Sequence, residues 1–338
     1  MGLNSSRWCI PECTCLGTHV DCSFRDLSSV PQNLPPWTVT LDLSDNQIEF
    51  FSRLVFSKLQ NLENLILKRN KLSSVPLGIE FFRNLKKLDL KLNRINVISS
   101  IDANRIAKIE WVDLARNMIR NYPKTTIINH DDCKIIKLDL NNNVITNLSA
   151  DTFSALHSLK SLRLSRNRIE SIEKDAFRGL GDLQSLRNIG ELCRDLSRNR
   201  LSAIRALTFP SLISLKNLSL YRNSLSMLED GAFWGLEELQ RLNLGHNRLK
   251  IITSGWLYGL NSLLALDLSA NEITWMEPTA WSSSFSLEWL SLASNGLRSI
   301  PSMIFRKFSR LQFLSLAHNH IDVLHNDAMM GLDSLNFL

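Results

Sequence analysis

The residues best equipped for chemistry lie near the amino terminus. Cys9, Cys13, Cys15 and Cys22 follow the spacing Cys-x3-Cys-x-Cys-x6-Cys. Four thiols this close either form disulfides or hold a metal. A cysteine- or histidine-based zinc site would bring Cys-x2-Cys pairs or paired histidines, and neither accompanies this cluster. We therefore expect disulfides, and with them an oxidising compartment. Spacing alone leaves three pairings open. Two other groups could hint at a metal: His130-Asp131-Asp132-Cys133, and His318 with His320 and His325. A metal centre needs three or four converging donors, whereas the first group reads as a solvated or disulfide-linked loop and the second straddles a strand end. No metal and no cofactor is expected. The chain also lacks a nucleophile elbow, a phosphate-cradling glycine loop and a His-Glu-x-x-His segment, so it does not read as an enzyme. No aromatic-and-basic motif for nucleic acid is present, so nucleic acid is not an expected partner.

The elements that must position these residues are set by a repeat. Leu41-Asp42-Leu43-Ser44-Asp45-Asn46 recurs as an apolar residue, any residue, Leu, two variable residues and Asn, ending at Asn70, Asn93, Asn117, Asn143, Asn167, Asn199, Asn223, Asn247, Asn271, Asn295 and Asn319. The asparagines are 23–26 residues apart, except for 32 before Asn199. This motif and period are those of a leucine-rich repeat. Leucines two apart lie on one face of a short strand, and no single strand can bury that face alone. Stacked turns form a continuous core, which predicts an α/β solenoid: a curved horseshoe with a parallel concave sheet. Each Asn follows a strand, where its amide can donate to and accept from otherwise unpaired peptide groups. Ten residues further on comes a second apolar spine: Phe56, Phe153, Phe177, Phe209, Phe233, Leu257, Trp281, Phe305 and Met329. Glu80 (with Phe81 beside it), Ala103 and Ile127 hold that register in the repeats ending their strands at Asn70, Asn93 and Asn117.

Three parts are predicted: a disordered leader over 1–8, a cysteine-rich amino-terminal cap over 9–36, and about twelve repeats over 37–338, the thirteenth entering at the end. A cap shields the apolar end of the first repeat. No secretory signal precedes the cysteines and no cap follows Gly331–Leu338, so the sequence is expected to be a piece of a longer chain. No apolar run is long enough to span a membrane. Between Leu186 and Asp195 the octapeptide 187–194 interrupts a strand; removing it restores both motif and period. Asn147-Leu148-Ser149, at a turn, and Asn217-Leu218-Ser219, beside a strand, are glycosylation sequons.

The formal net charge of +6 is modest for 338 residues. Lys68, Arg69, Lys91, Arg116, Arg163, Arg166, Arg198, Arg222 and Arg241 fall where strand and turn meet the concave surface. They could attract sulfated glycans or an acidic protein, or simply form a solvated face. On the same surface large side chains stand at solvent-facing positions. Tyr221, Arg222, Arg241, His246, Trp289 and Phe313 are the candidate protein contacts, because aromatic and arginine side chains make the strongest anchors.

The segments Asp230-Gly231-Ala232-Phe233-Trp234-Gly235-Leu236, Gly255-Trp256-Leu257-Tyr258-Gly259-Leu260 and Ala280-Trp281 resemble the leucine-rich repeats and immunoglobulin-like domains family. The cysteine cap and the long turn around Cys133 fit it too. Ser284 departs from it, standing where the family is expected to have a cysteine, and so does the octapeptide. The resemblance to extracellular leucine-rich repeat proteins implies Cys9–Cys15 and Cys13–Cys22 bonds. The family resemblance implies the ectodomain of a single-pass membrane protein at the cell surface. It also implies binding to a protein ligand or cell-surface receptor, receptor tyrosine kinases among them, in regulation of growth-factor receptor signalling. A secreted matrix protein of the proteoglycan kind and a pattern-recognition receptor ectodomain are the alternatives.

Overall fold

The computed structural model describes residues 8–51, 58–124, 133–183, 196–281 and 286–338. The octapeptide 187–194, Ser284, Phe56, Ile127 and His130–Asp132 lie outside them. Contacts divide the chain into two compact units, one up to Val144 and the other Ile145–Leu338.

Among the described residues, most repeats contribute a three-residue strand whose central residue, leucine or at Val112 valine, points inward. Leu65, Leu88, Leu138, Leu242 and Leu290 are at most 2% exposed, while residues on either side are mostly half-exposed. In the first unit Thr40–Asp42, Asn64–Ile66, Lys87–Asp89, Trp111–Asp113 and Lys137–Asp139 pair in parallel, residue against equivalent residue. In the second, Asn217–Ser219, Arg241–Asn243, Ala265–Asp267, Trp289–Ser291 and Phe313–Ser315 do the same. Constant register follows from the constant period, so the chain places side chains in columns across the sheet.

The asparagines form the expected ladder. Asn70 Nδ2 donates to Leu43 O (2.9 Å) and Leu67 O (3.1 Å), and its Oδ1 accepts from Ile48 N–H (2.9 Å). Asn247 repeats this with Leu220, Leu244 and Leu225. The residue before each ladder Asn is left-handed without being glycine: φ is 53° at Arg69, 57° at Arg116, 53° at Arg222 and 54° at His246. That conformation costs about 1–2 kcal/mol. It persists because it aims the residue's N–H at the next repeat: Arg69 N–H reaches Lys91 O and Arg222 N–H reaches Gly245 O. A second ladder, four residues before the Asn, escaped the sequence reading. Asp89, Asp113, Asp139, Asn243 and Asp267 each accept the N–H two residues on, at 2.8–3.0 Å.

The apolar spine differs between units. In the second, Phe153, Phe177, Phe209 and Phe233 stack in succession with ring centroids 5.8–6.3 Å apart. Close stacking demands Gly235 (φ 96°), where a Cβ would come within 2.6 Å of Pro210 Cα. In the first, Ala103 lies on a short helix, Ser100–Ile106, capped by Ser99 with Asp102. The expectation that Glu80 and Phe81 hold the spine is corrected: Glu80 pairs with Arg105 at 2.8 Å and Phe81 is 55% exposed, while Ile79 and Phe82 are buried. The backbone turn there puts positions 79 and 82 inward.

At the amino end Thr14–Leu16 and His19–Asp21 form a hairpin that pairs in parallel with Thr40–Asp42. Disulfides Cys9–Cys15 and Cys13–Cys22 cross-link it, the pairing that the resemblance implied. No helix among the described residues is long and apolar enough to cross a membrane.

Candidate functional site

Because the strands stack in register, the first strand position makes one column across the second unit: Asn217, Arg241, Ala265, Trp289 and Phe313. Trp289 and Phe313 stack face to face, centroids 5.2 Å apart and planes 6° from parallel. Ala265 is the one small side chain between large ones, and a hollow of about 510 Å³ opens over it. Arg241, Asn243, Leu264, Ala265, Asp267, Glu288 and Trp289 are among its walls.

The six anchors expected from sequence fall into two groups at opposite ends of the strands. Arg241, Trp289 and Phe313 occupy the first strand position. Tyr221 stands just past its strand, with Arg222 and His246 on the left-handed turns. The His246 ring meets the Tyr221 ring edge-on at 4.9 Å, and the Arg222 guanidinium lies 5.3 Å from it. Sequence reasoning missed Ala265, Asp267 and Glu288. Aligning strand positions repeat by repeat would have found them, since the hollow is an alanine in a column of bulk.

The same alignment finds a second group in the first unit. Trp111 stands between Lys87 and Lys137, and the Lys87 ammonium lies 4.3 Å from its ring centroid. Below them run Asp89, Asp113 and Asp139. Burial, with Asp139 adding repulsion, pushes the Asp113 carboxyl up to about 6. Burial also raises Asp89, against the nearby lysines.

The basic residues occupy more than one register position. Arg69, Arg116, Arg166, Arg198 and Arg222 sit on left-handed turns, and Arg69 is paired with Asp45 at 3.0 Å. The sequons also separate. Asn147 begins a two-residue strand beside Ser171–Ile172 rather than a bare turn, and is half-exposed. Asn217 is only 4% exposed and begins the strand Asn217–Ser219. Cys133, expected in a solvated or disulfide-linked loop, is a buried thiol close to Tyr122, whose phenol burial raises well above its ordinary range. His318, His320 and His325 are exposed, and among the described residues no three His, Cys, Asp or Glu side chains group to hold a metal.

A model of the family described as leucine rich repeat matches residues 134–187, 195–249, 238–297 and 285–338, more than half of the chain. The chain belongs to the leucine-rich repeat family. Within it, leucine-rich repeats and immunoglobulin-like domains protein 3 of Homo sapiens is 35% identical over 204 residues, covering 47% of this chain and 18% of that protein. Protein 1 of the same name, also from Homo sapiens, is 36% identical over 157 residues, covering 46% of this chain and 14% of that protein. The resemblance carried by the tryptophan-bearing segments is thereby borne out. The chain spans less than a fifth of the length of these relatives. Among solved structures, the leucine-rich repeat domain of FLRT2, in an octameric complex with Latrophilin 3 and Unc5D, superposes with a TM-score of 0.68. It is 26% identical and covers 86% of this chain and 85% of that one. The fold is thus one that protein recognition uses.

Proposed function

We propose that this leucine-rich repeat chain is a non-enzymatic recognition module that works outside the cell and binds a protein partner on the open sheet face of its second unit. The observation that carries the reading is the Trp289–Phe313 stack beside the Ala265 hollow. Two adjacent, half-exposed aromatic rings backed by a rigid sheet are what an interface anchor requires, since little side-chain entropy is lost when a partner covers them. Disulfides in the cap support an extracellular setting. FLRT2, captured in complex with two other proteins, supports binding of a protein rather than a small molecule.

The similarity to leucine-rich repeats and immunoglobulin-like domains proteins supports a cell-surface parent that regulates growth-factor receptors, with receptor tyrosine kinases as partners. Sulfated glycans are the rival ligand; the half-exposed aromatic pair favours the protein.

The test is surface plasmon resonance of the secreted chain against a panel of receptor tyrosine kinase ectodomains. At least one should bind, and Trp289→Ser with Phe313→Ser should weaken it about a hundredfold, as for two anchors of roughly 1.5–2 kcal/mol each. Binding to none of the panel, or binding indifferent to both substitutions, would sink the reading.

A further inference from the structure

Trp289 offers its partner only one ring face. Phe313 covers the other, at 5.2 Å, so the remaining face looks along the column toward Ala265, its neighbour in register. That face is a wall of the hollow. Among the charged groups lining the hollow are two carboxylates, Asp267 and Glu288, and one cation, Arg241. Asp267 Oδ1 takes the Ser269 N–H at 3.0 Å, leaving Oδ2 for another donor. Gly245 keeps the space beside that oxygen clear: a Cβ there would lie 3.1 Å from Oδ2. The floor is the sheet itself at Leu218 and Leu242, whose side chains point inward, with Leu264 and Ala265 beside it.

An apolar trough ending in an aromatic face and two carboxylates matches a long side chain with a cationic tip. The methylene stem would lie along Leu264 and Ala265. The head group would stack on Trp289, where a desolvated cation gains most, and would donate to Asp267 and Glu288. An anion would meet two like charges and one opposite. On these grounds we infer that the hollow over Ala265 receives an arginine or lysine side chain of the protein partner. This rests on the proposed recognition role and names the chemistry of the residue recognised.

The first unit shows the same pairing made internally, with the Lys87 ammonium held 4.3 Å from the Trp111 centroid. In the second unit the position equivalent to Lys87 is Ala265, so the residue next to Trp289 in the column supplies no cation.

The probes are fluorescently labelled nona-arginine and nona-glutamate, titrated against the whole chain by anisotropy at low salt. The net charge of +6 gives a polycation no general attraction, so retention of nona-arginine requires a local acidic site. Nona-arginine should bind, and Asp267→Asn with Glu288→Gln should weaken it roughly tenfold, about 1.4 kcal/mol. Asn243 already fills the backbone-bonding role of Asp267 in its own repeat, so Asp267→Asn preserves the turn. Ala265→Leu, which fills the hollow without touching a charge, should weaken it similarly. Asp139→Asn in the first unit should change nothing. The inference is overturned if nona-arginine does not bind, if these hollow substitutions leave it unchanged, or if nona-glutamate binds and is lost with Arg241→Gln. The two proposals fail differently on the receptor panel. A bound ectodomain sensitive to Trp289→Ser and Phe313→Ser but indifferent to the hollow substitutions removes the arginine or lysine and keeps the recognition role. Indifference to the aromatic pair removes the role.

Discussion

The two units build the same ladders and present opposite surfaces. Both hold a tryptophan at the first strand position, Trp111 in one and Trp289 in the other. In the first unit its neighbours in the column are lysines, and one of them covers the ring. In the second its neighbours are Ala265 and Phe313, so one face is backed and the other left open. A tryptophan in the exposed register is therefore not an anchor by itself. The residues one repeat away decide whether its ring is spent within the chain or offered to a partner. The contrast extends to the opposite side, where the second unit stacks phenylalanines and the first uses a capped helix around Ala103.

That contrast can be broken at its strongest point by Phe209→Ala. Phe209 is fully buried between Phe177 and Phe233, and such a deletion costs about 4 kcal/mol through lost transfer energy and the cavity left behind. Urea unfolding should show the loss in the second unit. A loss below about 1 kcal/mol would mean that the stacked rings repack as the Ala103 repeat does.

A smaller effect separates the two aspartate ladders. Asp113 is raised to about 6 from an ordinary 3.8, so the folded state holds its proton more tightly than the unfolded state. Stability is then greatest below 3.8 and declines as pH rises through about 6. Asp113→Asn imitates Asn243, which makes the same backbone bond without charge. It should stabilise the first unit by about 2 kcal/mol at pH 7 and by much less near pH 4. Equal effects at the two pH values in urea unfolding would mean that the carboxyl titrates normally.

The smallest effect sharpens the comparison at the tryptophans. Lys87→Ala should cost only about 0.5 kcal/mol, the size of an exposed cation–π contact. It should also uncover Trp111, raising its quenching by iodide. Unchanged quenching would show that Lys87 does not shield the ring.

How far the site was legible follows from the same columns. Asn70 and Asn247 announced their bonds through residue type and position alone, because the constant period brings the same peptide groups of their own and the preceding repeat to each of them. Trp289 and Phe313 were legible for a similar reason, each lying next to an inward strand leucine, Leu290 or Leu314, and so on the opposite face. The left-handed turns were not: Arg222 and His246 are residues that seldom adopt φ near +55°, and only a peptide N–H reaching the next repeat makes it worthwhile. Glu80 was misread because a local 3-10 turn shifts the inward positions by one.

The sequence by itself determined the period, the strand register, the asparagine ladder, the cysteine cap and the apolar spine over most of the chain. All of these follow from side chains recurring at intervals fixed by backbone geometry. Only the tertiary structure decided that Asn217 is buried, that Asp113 is held at a raised proton affinity, and that a hollow opens over Ala265. Those properties depend on burial and on distances between residues about a repeat apart, quantities that no single stretch of sequence contains.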